Sequence, residues 1–451
     1  MSRAGAARGE EPAREECARV SALTHEGDGI VREGKTAFVP GALPGETVRF
    51  VRTRRHRGHD EGRLLEVLEP AATRVAPRCK HFGVCGGCVL QHLSSEAQRA
   101  MKQTELADNL ERLARVDCPH WFAPLAGPAW GYRRRARLGA KFVPKKDRVV
   151  VGFRERSAPY VADLQRCEVL SPPVGEWITP LAELIATLDI RQRLPQIEVA
   201  VADNATALVL RVLSPPSAGD RERLRAFAAA RGARLYLQPG GLESIEPLEA
   251  SAPLEPLYYS LPELDLRLQF MPSDFVQING PVNRALVARA VELLGCGPGD
   301  TVLDLYCGLG NFTLPLARSG ARAVGVEGAA ALIERARGNA ARNGIANAEF
   351  HVADLSAPPE PHTPWLRGPY SHVLLDPPRV GAREMLATVA ALCPRRVLYI
   401  SCHPGSLARD LGVLVHEHGF ALEAAGIIDM FPHTGHVESL ALLGGPRGAC
   451  A

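Results

Sequence analysis

The sequence predicts a fold of mixed α/β and β class in three parts. These are a small N-terminal β-barrel, a central mainly antiparallel β domain, and a C-terminal doubly wound, Rossmann-like domain. Three observations predict it. At 451 residues the chain is too long for one hydrophobic core. Short strand-like runs broken by Gly and Pro clusters fill the first part of the chain, and longer β-like runs dominate the middle. Beyond Pro272, apolar strands alternate with helical stretches, the pattern of a mainly parallel sheet. The expected boundaries are a flexible tail over 1–16, the barrel over 17–72, the central domain over 73–270 and the last domain over 271–451.

The barrel strands are read from Cys17-Ala-Arg-Val-Ser-Ala-Leu23, Lys35-Thr-Ala-Phe-Val39, Glu46-Thr-Val-Arg-Phe-Val-Arg52 and Gly62-Arg-Leu-Leu-Glu-Val-Leu68, separated by Gly27-Asp-Gly29 and Pro40-Gly-Ala-Leu-Pro-Gly45. That rhythm fits about five strands closing on themselves. Residues 94–115 have helical spacing, with Met101, Leu106, Leu110 and Leu113 on one side. Arg137-Leu-Gly-Ala-Lys-Phe-Val143, Arg148-Val-Val-Val-Gly-Phe153, Gln196-Ile-Glu-Val-Ala-Val201 and Ala207-Leu-Val-Leu-Arg-Val-Leu213 supply central strands. In the last part, strands over 301–305, 323–326, 348–352, 372–375 and 396–400 alternate with helices over 314–318, 329–343 and 384–392.

Hydrophobic residues make up 46% of the chain and charged residues 23%, as in a globular protein. No apolar run reaches 18 residues, which argues against a transmembrane helix. The first sixteen residues lack the apolar centre of a signal peptide, so a cytoplasmic location is expected. Net charge is only +3, but it is unevenly spread. Arg49, Arg52, Arg54, Arg55 and Arg57 crowd nine residues, and 133–148 carry eight basic residues against Asp147 alone. Two such clusters point to a nucleic-acid backbone as partner, with Arg133, Arg134 and Arg135 as candidate contacts. Solvated loops are the alternative. Of eleven cysteines, Cys79, Cys85 and Cys88 fall within ten residues. Clustered thiols without a secretion signal indicate a metal site, with Cys167 as a fourth ligand from the next segment, and spacing alone does not choose between zinc and an iron–sulfur cluster.

The stretch Asp304-Leu-Tyr-Cys-Gly-Leu-Gly-Asn-Phe312 joins the end of an apolar strand to a helix. Gly308 and Gly310 let the backbone turn tightly at the sheet edge where such folds bind ligands. A third glycine is missing, so a nucleoside-type cofactor is favoured over a pyrophosphate. Glu327, seventeen residues after Gly310, ends the next strand and suits ribose hydroxyls; Asp354 ends the third, where an adenine edge would lie.

Six motifs together resemble the RNA uracil-5-methyltransferase family. They are Asp274-Phe-Val-Gln-Ile-Asn279, the glycine turn 304–313, Gly325-Val-Glu-Gly328, Leu375-Asp-Pro-Pro-Arg379, Ser401-Cys-His-Pro404 and Phe431-Pro-His-Thr-Gly-His-Val-Glu-Ser439. The resemblance is stronger to the branch acting on 23S ribosomal RNA than to the transfer-RNA branch. It extends upstream through the cysteine loop to the barrel, which is similar to a TRAM domain, an OB-like RNA-binding module.

The resemblance implies an S-adenosyl-L-methionine-dependent enzyme that methylates C5 of a uridine held single-stranded or flipped out. C5 of a neutral uracil is a poor nucleophile. A thiolate adding to C6 makes it enolate-like, and a base must later remove the C5 proton. Cys402 is the expected nucleophile and Glu438 the expected base. Gln277, Tyr306, Asn311, Glu327, Asp354 and Asp376 are the expected cofactor residues, and Phe275 is expected near the target base. The resemblance also selects a [4Fe–4S] cluster on Cys79, Cys85, Cys88 and Cys167, in a structural or RNA-positioning role. His403, His433 and His436 are candidates for tuning the thiol or binding RNA. Pro378 and His403 depart from the family's expected Ala and Asn. No obligate protein partner is implied. A transfer-RNA enzyme of the same chemistry and a non-catalytic RNA-binding iron–sulfur protein are the competing readings.

Overall fold

In a computed structural model, the structure describes residues 14–249 and 256–446. Of the expected tail, residues 1–13 lie outside the described residues, and Glu15 and Glu16 already belong to the first strand. The chain divides into two compact units, 1–98 with 433–435, and 99–432 with 436–451.

In the first unit, β1 (Glu15–Leu23), β2 (Asp28–Val31), β3 (Ala37–Pro40), β4 (Thr47–Arg55) and β5 (Asp60–Glu69) close into a barrel in the order β1-β2-β3-β5-β4. Alternation along the strands sends Ala18, Val20, Val31, Val39, Val48 and Phe50 into its core. Gly62 lets β5 cross that core, since a Cβ there would meet Val39 at 2.9 Å and Phe50 at 3.0 Å. The basic run is largely neutralised in place: Arg52 pairs with Glu16 and Asp60, Arg49 with Glu66, and Arg54 with Glu61. Arg55 and Arg57 stay exposed without an ion pair among the described residues. The cysteine loop belongs to this same unit.

Helix α1 (Ser95–Asn109) begins in the first unit and continues into the second, ending in a π-helical turn over Leu110–Ala114. Leu106 and Leu110 are buried as expected, but Leu113 is exposed. The widened turn rotates it off the apolar face that regular 3.6-residue spacing predicts.

The second unit carries three sheets. The central one orders its strands β11-β10-β9-β8-β6-β7 and is built from β6 (Arg135–Val143), β7 (Arg148–Gly152), β8 (Gln196–Val201), β9 (Thr206–Arg211), β10 (Ala233–Gln238) and β11 (Glu246–Pro247). It is antiparallel except that β9 and β10 run parallel, joined through α3 (Ala218–Arg231); α2 (Ile178–Thr187) packs against β7. A hairpin of β12 (Leu257–Leu261) and β13 (Leu266–Phe270) follows.

The last sheet has seven strands in the order β16-β15-β14-β17-β18-β20-β19. Its members are β14 (Thr301–Leu305), β15 (Arg322–Glu327), β16 (Ala348–Val352), β17 (His372–Leu375), β18 (Arg396–Ser401), β19 (Ala421–Ile428) and β20 (Glu438–Gly444), with only β20 antiparallel to its neighbours. Helices α4 (Gly280–Leu294), α5 (Thr313–Arg318), α6 (Ala330–Arg342), α7 (Leu386–Ala391) and α8 (Pro404–His416) complete a doubly wound layer structure. Both faces are covered: Val302, Leu374 and Leu398 pack on one side, Leu303, Val373 and Val397 on the other. That two-sided burial is why these strands read as continuous apolar runs. No helix among the described residues is long and apolar enough to cross a membrane.

Candidate active site

The chain leaves β14 for β15 on one side and returns to β17 on the other, so a crevice opens beyond the carboxyl ends of β14 and β17. The segments leaving these strands carry the chemistry. After β14 the backbone turns through Tyr306, Gly308 and Gly310, all at positive φ (66°, 56° and 95°). A Cβ on Gly308 would meet nothing within 4 Å, so its glycine answers the backbone conformation and leaves the crevice side open. Tyr306 holds a left-handed conformation that costs a non-glycine residue energy. Its hydroxyl donates to the Leu355 carbonyl at 3.2 Å.

Glu327, the last residue of β15, accepts the Gly308 N–H at 3.2 Å and the Ala329 N–H at 3.1 Å, which ties two loops to one carboxylate. Asp354 is exposed beyond β16. It accepts the N–H and hydroxyl of Ser356, which hold its carboxyl below the ordinary range. Asn311 behaves differently: it exchanges hydrogen bonds with Asn283 at 3.0 Å each way and accepts the Tyr259 hydroxyl at 2.8 Å. That side chain bridges α4, the glycine turn and the hairpin. Gln277 is half-buried and its carbonyl accepts Arg134 Nε at 2.7 Å; Phe275 stands 74% exposed.

Asp304 is the residue that sequence reasoning passed over, although it opens the glycine motif. It is fully buried in β14. One oxygen accepts the Thr313 hydroxyl at 2.5 Å and the other, Oδ1, has no hydrogen-bond partner. Burial raises its pKa to about 7, helped by the neighbouring charges of Asp376 and Glu327 against the pull of Thr313. An unsatisfied buried carboxylate oxygen beneath a ligand-binding turn is a free acceptor.

The groups expected to react converge one strand further. Asp376 follows β17, and burial alone carries its pKa to about 7. Cys402 follows β18 directly, half-buried, and Glu438 is the buried first residue of β20. Ser401 is the ladder partner of Ser439, so the thiol and the carboxyl extend from adjacent antiparallel strands at the same end of the ladder. Burial, then the charges of Glu438 and Asp376, push the Cys402 thiol up, while Arg379 opposes them. Burial and Asp376 raise Glu438 to about 8, with Lys102 pulling the other way. Cys307, the other thiol of the crevice motifs, is buried and shifted far above its ordinary range, as suits an inert core residue.

The histidines resolve into separate roles. His403 is the N-cap of α8: its Nδ1 accepts the Ser406 N–H at 3.1 Å, and Pro404 starts the helix. An imidazole nitrogen thus fills the acceptor role that the family's expected Asn would fill with its amide oxygen. His436 Nδ1 meets an Arg379 guanidinium nitrogen at 2.9 Å, beside the reacting groups. His433 is buried in the first unit, where its N–H donates to Gln98 at 2.7 Å.

One expectation needs correction. Arg134 is buried, with its guanidinium 4.7 Å from the Tyr259 ring centre, and Arg135 donates to the Pro272 carbonyl. Both bind the central sheet to the segment before α4, so free RNA contact is excluded for Arg134 by its burial. Arg133 donates to the Arg135 carbonyl at 3.2 Å and stays half-buried. As for the cysteines, Cys79, Cys85 and Cys88 lie in the first unit and Cys167 in the second. Among the described residues, no group of three or more His, Cys, Asp or Glu side chains is gathered to hold a metal ion.

Residues 260–360 and 367–445 match the family model described as tRNA (Uracil-5-)-methyltransferase. A protein of Alkalilimnicola ehrlichii named 23S rRNA (uracil(1939)-C(5))-methyltransferase RlmD is 52% identical over 94% of this chain and 95% of its own length. One of the same name from Nitrosococcus oceani is 51% identical over 94% and 95%. The crystal structure of Pyrococcus abyssi tRNA (uracil-54, C5)-methyltransferase in complex with S-adenosyl-L-homocysteine is similar in fold, with a TM-score of 0.73 at 23% identity over 95% of this chain and all of that one. At half-identity over nearly their full lengths, with Cys402, Glu438 and the glycine turn at one sheet edge, the chain belongs to the RNA uracil-5-methyltransferase family.

Proposed function

We propose that the protein methylates C5 of a uridine in 23S ribosomal RNA, at the position equivalent to uracil 1939 that its relatives' name specifies. The observation that carries the reading is the placing of Cys402 and Glu438 each one residue beyond the Ser401–Ser439 pair at the end of one antiparallel ladder, next to a crevice lined with acceptors. S-adenosyl-L-methionine supplies an electrophilic methyl group on a cationic sulfur. The residues present fit it: the unpartnered Asp304 oxygen, the open side of Gly308, and the strand-end acids Glu327 and Asp354 suit an adenosine with its amino acid tail. Asp376 beyond β17 suits the neighbourhood of a cationic sulfur.

In this reading the Cys402 thiol loses its proton and adds to C6 of the uracil, and C5 becomes nucleophilic. Arg379 favours the thiolate, since its charge already opposes the upward shift of the thiol. Once C5 carries the methyl group, Glu438 removes the C5 proton, the C5–C6 double bond re-forms and the thiolate leaves. Exposed Phe275 offers a ring face to an unstacked base.

The reading extends to two finer points. The barrel serves as a TRAM domain that grips RNA, with exposed Arg55 and Arg57 toward phosphates. Cys79, Cys85, Cys88 and Cys167 hold a [4Fe–4S] cluster. In favour of the cluster are an all-thiol donor set, the positive-φ Gly83 inside the loop, and a Gly87 N–H aimed at Cys85 Sγ at 3.4 Å. A cytoplasmic site of action follows from the RNA substrate.

The test uses ribosomal RNA carrying 5-fluorouridine with S-adenosylmethionine. Fluorine cannot leave C5 as a proton, so a denaturation-resistant protein–RNA complex is expected with the wild type and not with Cys402→Ala. A complex formed on transfer RNA alone would move the substrate, and none on either RNA would overturn the covalent mechanism. Iron and acid-labile sulfide in the anaerobically purified protein test the cluster, and zinc in their place would overturn it.

A further inference from the structure

The crevice edge concentrates acids. Asp304, Asp376 and Glu438 are each raised above their ordinary pKa by burial, and Asp429 is buried just beyond β19. Against them stands a buried ammonium from a distant part of the chain. Lys102 of α1 has a side chain that is 0% exposed. Its Nζ donates to Asp429 Oδ1 at 2.7 Å and to the Phe431 carbonyl at 2.9 Å. Ile428, the residue before Asp429, is the ladder partner of Glu438 in β20. Lys102 is therefore anchored within one residue of the position opposite the base.

An ion pair this deep is a costly way to join a helix to a loop, because desolvation of both charges consumes most of the attraction between them. A Leu or Met would fill the space without that cost. The structure instead presents one fully buried cation beside a carboxyl that has to be ionised to act. The charged groups facing Glu438 are Asp376 beyond β17, Cys402 beyond β18 and Lys102 of α1. Those facing Lys102 are Asp429, Glu438 and Glu105 of its own helix. Asp376 opposes ionisation of Glu438 and Lys102 favours it. Burial pushes the Lys102 ammonium down, while Asp429 and Glu438 pull it back up, so base and cation stabilise one another's charge.

We propose that Lys102 is a positioning residue for the last chemical step: its buried ammonium, fixed by Asp429 and the Phe431 carbonyl beside the start of β20, favours the ionised form of Glu438, the form that removes the C5 proton. The step is an elimination. The C5–H bond breaks with its proton going to Glu438, its electron pair forms the C5–C6 double bond, and the C6–S bond breaks with its pair returning to Cys402. Lys102 touches none of these atoms. It acts on the proton affinity of the group that takes the proton. The inference rests on the covalent mechanism above.

The experiment compares wild type, Lys102→Met, Lys102→Arg and the double variant Lys102→Met/Asp429→Asn, each with S-adenosylmethionine. Complexes on 5-fluorouridine RNA and on ordinary RNA are resolved under denaturing conditions, and breakdown of the second is followed against pH. A wild type that forms no complex on 5-fluorouridine RNA overturns the underlying mechanism. With that complex in hand, Lys102→Met is expected to form it as the wild type does and, in addition, to accumulate a complex on ordinary uridine. Breakdown of that complex should move to higher pH by about one unit, the size of effect expected from one nearby buried charge. Lys102→Arg keeps the charge and is expected to restore the wild-type profile. If Lys102→Met fails to fold because Asp429 is left buried and unpaired, the double variant removes both charges and is expected to show the same shift. Wild-type breakdown and an unmoved pH profile in Lys102→Met or in the double variant would overturn the proposal.

Discussion

Cys402 and Glu438 face one another across the end of the β18–β20 ladder: Ser401 pairs with Ser439, and the thiol and the carboxyl each stand one residue beyond that pair. The two groups proposed to act at successive moments of a C5 methylation are thus set by a single strand pairing. An antiparallel partner brings them together because β20 enters the sheet at the end where β18 leaves it.

Cys402→Ala is expected to lower methyl transfer to ribosomal RNA by roughly 10³-fold or more, since the covalent route is lost while cofactor binding is kept. Binding of S-adenosylhomocysteine, measured by calorimetry, should stay within about twofold of wild type. Loss of that binding along with activity would show that the substitution damages the fold rather than the nucleophile.

Glu438→Gln retains the shape of the base without its proton affinity. Turnover is expected to fall by roughly 10²–10⁴-fold, and the methylated covalent complex should build up on ordinary uridine RNA. A variant with low turnover and no trapped complex would assign the proton transfer to another group.

Folding stability is expected to fall as pH rises through the window from about 4 to about 8. Asp304 and Asp376 titrate at about 7 and Glu438 at about 8 in the folded protein, against 3.8 and 4.5 for the same groups unperturbed. Between those values the folded state binds more protons than the unfolded chain, which makes the slope of stability against pH negative. Thermal melts of the cofactor-free protein at successive pH values check this. Glu438→Gln should flatten the upper part of the window, and an unchanged slope would count against a protonated resting base.

Asp304→Ala is expected to weaken S-adenosylhomocysteine binding by roughly tenfold or more, about 1–3 kcal/mol for a lost charge-assisted acceptor. Asp304 also accepts the Thr313 hydroxyl, so Thr313→Val serves as control: it removes that internal bond and leaves the unpartnered oxygen. Equal losses from both variants in titration calorimetry would assign Asp304 to holding the turn alone.

His403→Ala removes the N-cap of α8 and is expected to cost about 1 kcal/mol in denaturant unfolding. His403→Asn supplies an amide oxygen in the same place and should stay within about 0.5 kcal/mol of wild type. A penalty for Asn as large as for Ala would mean that the imidazole does something other than cap.

The strands between 301 and 400 were legible because a parallel sheet covered on both faces writes itself as short apolar runs. Observed bounds such as Thr301–Leu305 and His372–Leu375 coincide with the expected ones. Cys402 was legible from its neighbours, a strand before it and a Pro after it. The parallel pairing of β9 with β10 was not, since alternation reports which face a residue takes and never which strand lies beside it. Leu113 read as core for a related reason: the 3.6-residue period holds only until Leu110, where the turn widens.

The sequence by itself determined the order of barrel, central sheet and doubly wound sheet and the glycine turn, because those follow from local periodicity and contiguous motifs, while Cys402 and Glu438 were named as candidates through the family resemblance. Tertiary structure alone decided how the charges are spent. Arg134 looks like a nucleic-acid contact in a basic run and lies under Tyr259. Lys102 looks like a solvated helix lysine and is sealed against Asp429, 327 positions away in the chain. Asp304 looks like an ordinary strand-end acid and carries a raised pKa with one oxygen unpartnered. The physical reason is common to all three: a charge's solvation and partners are set by what packs against it from far along the chain, and no local pattern encodes that.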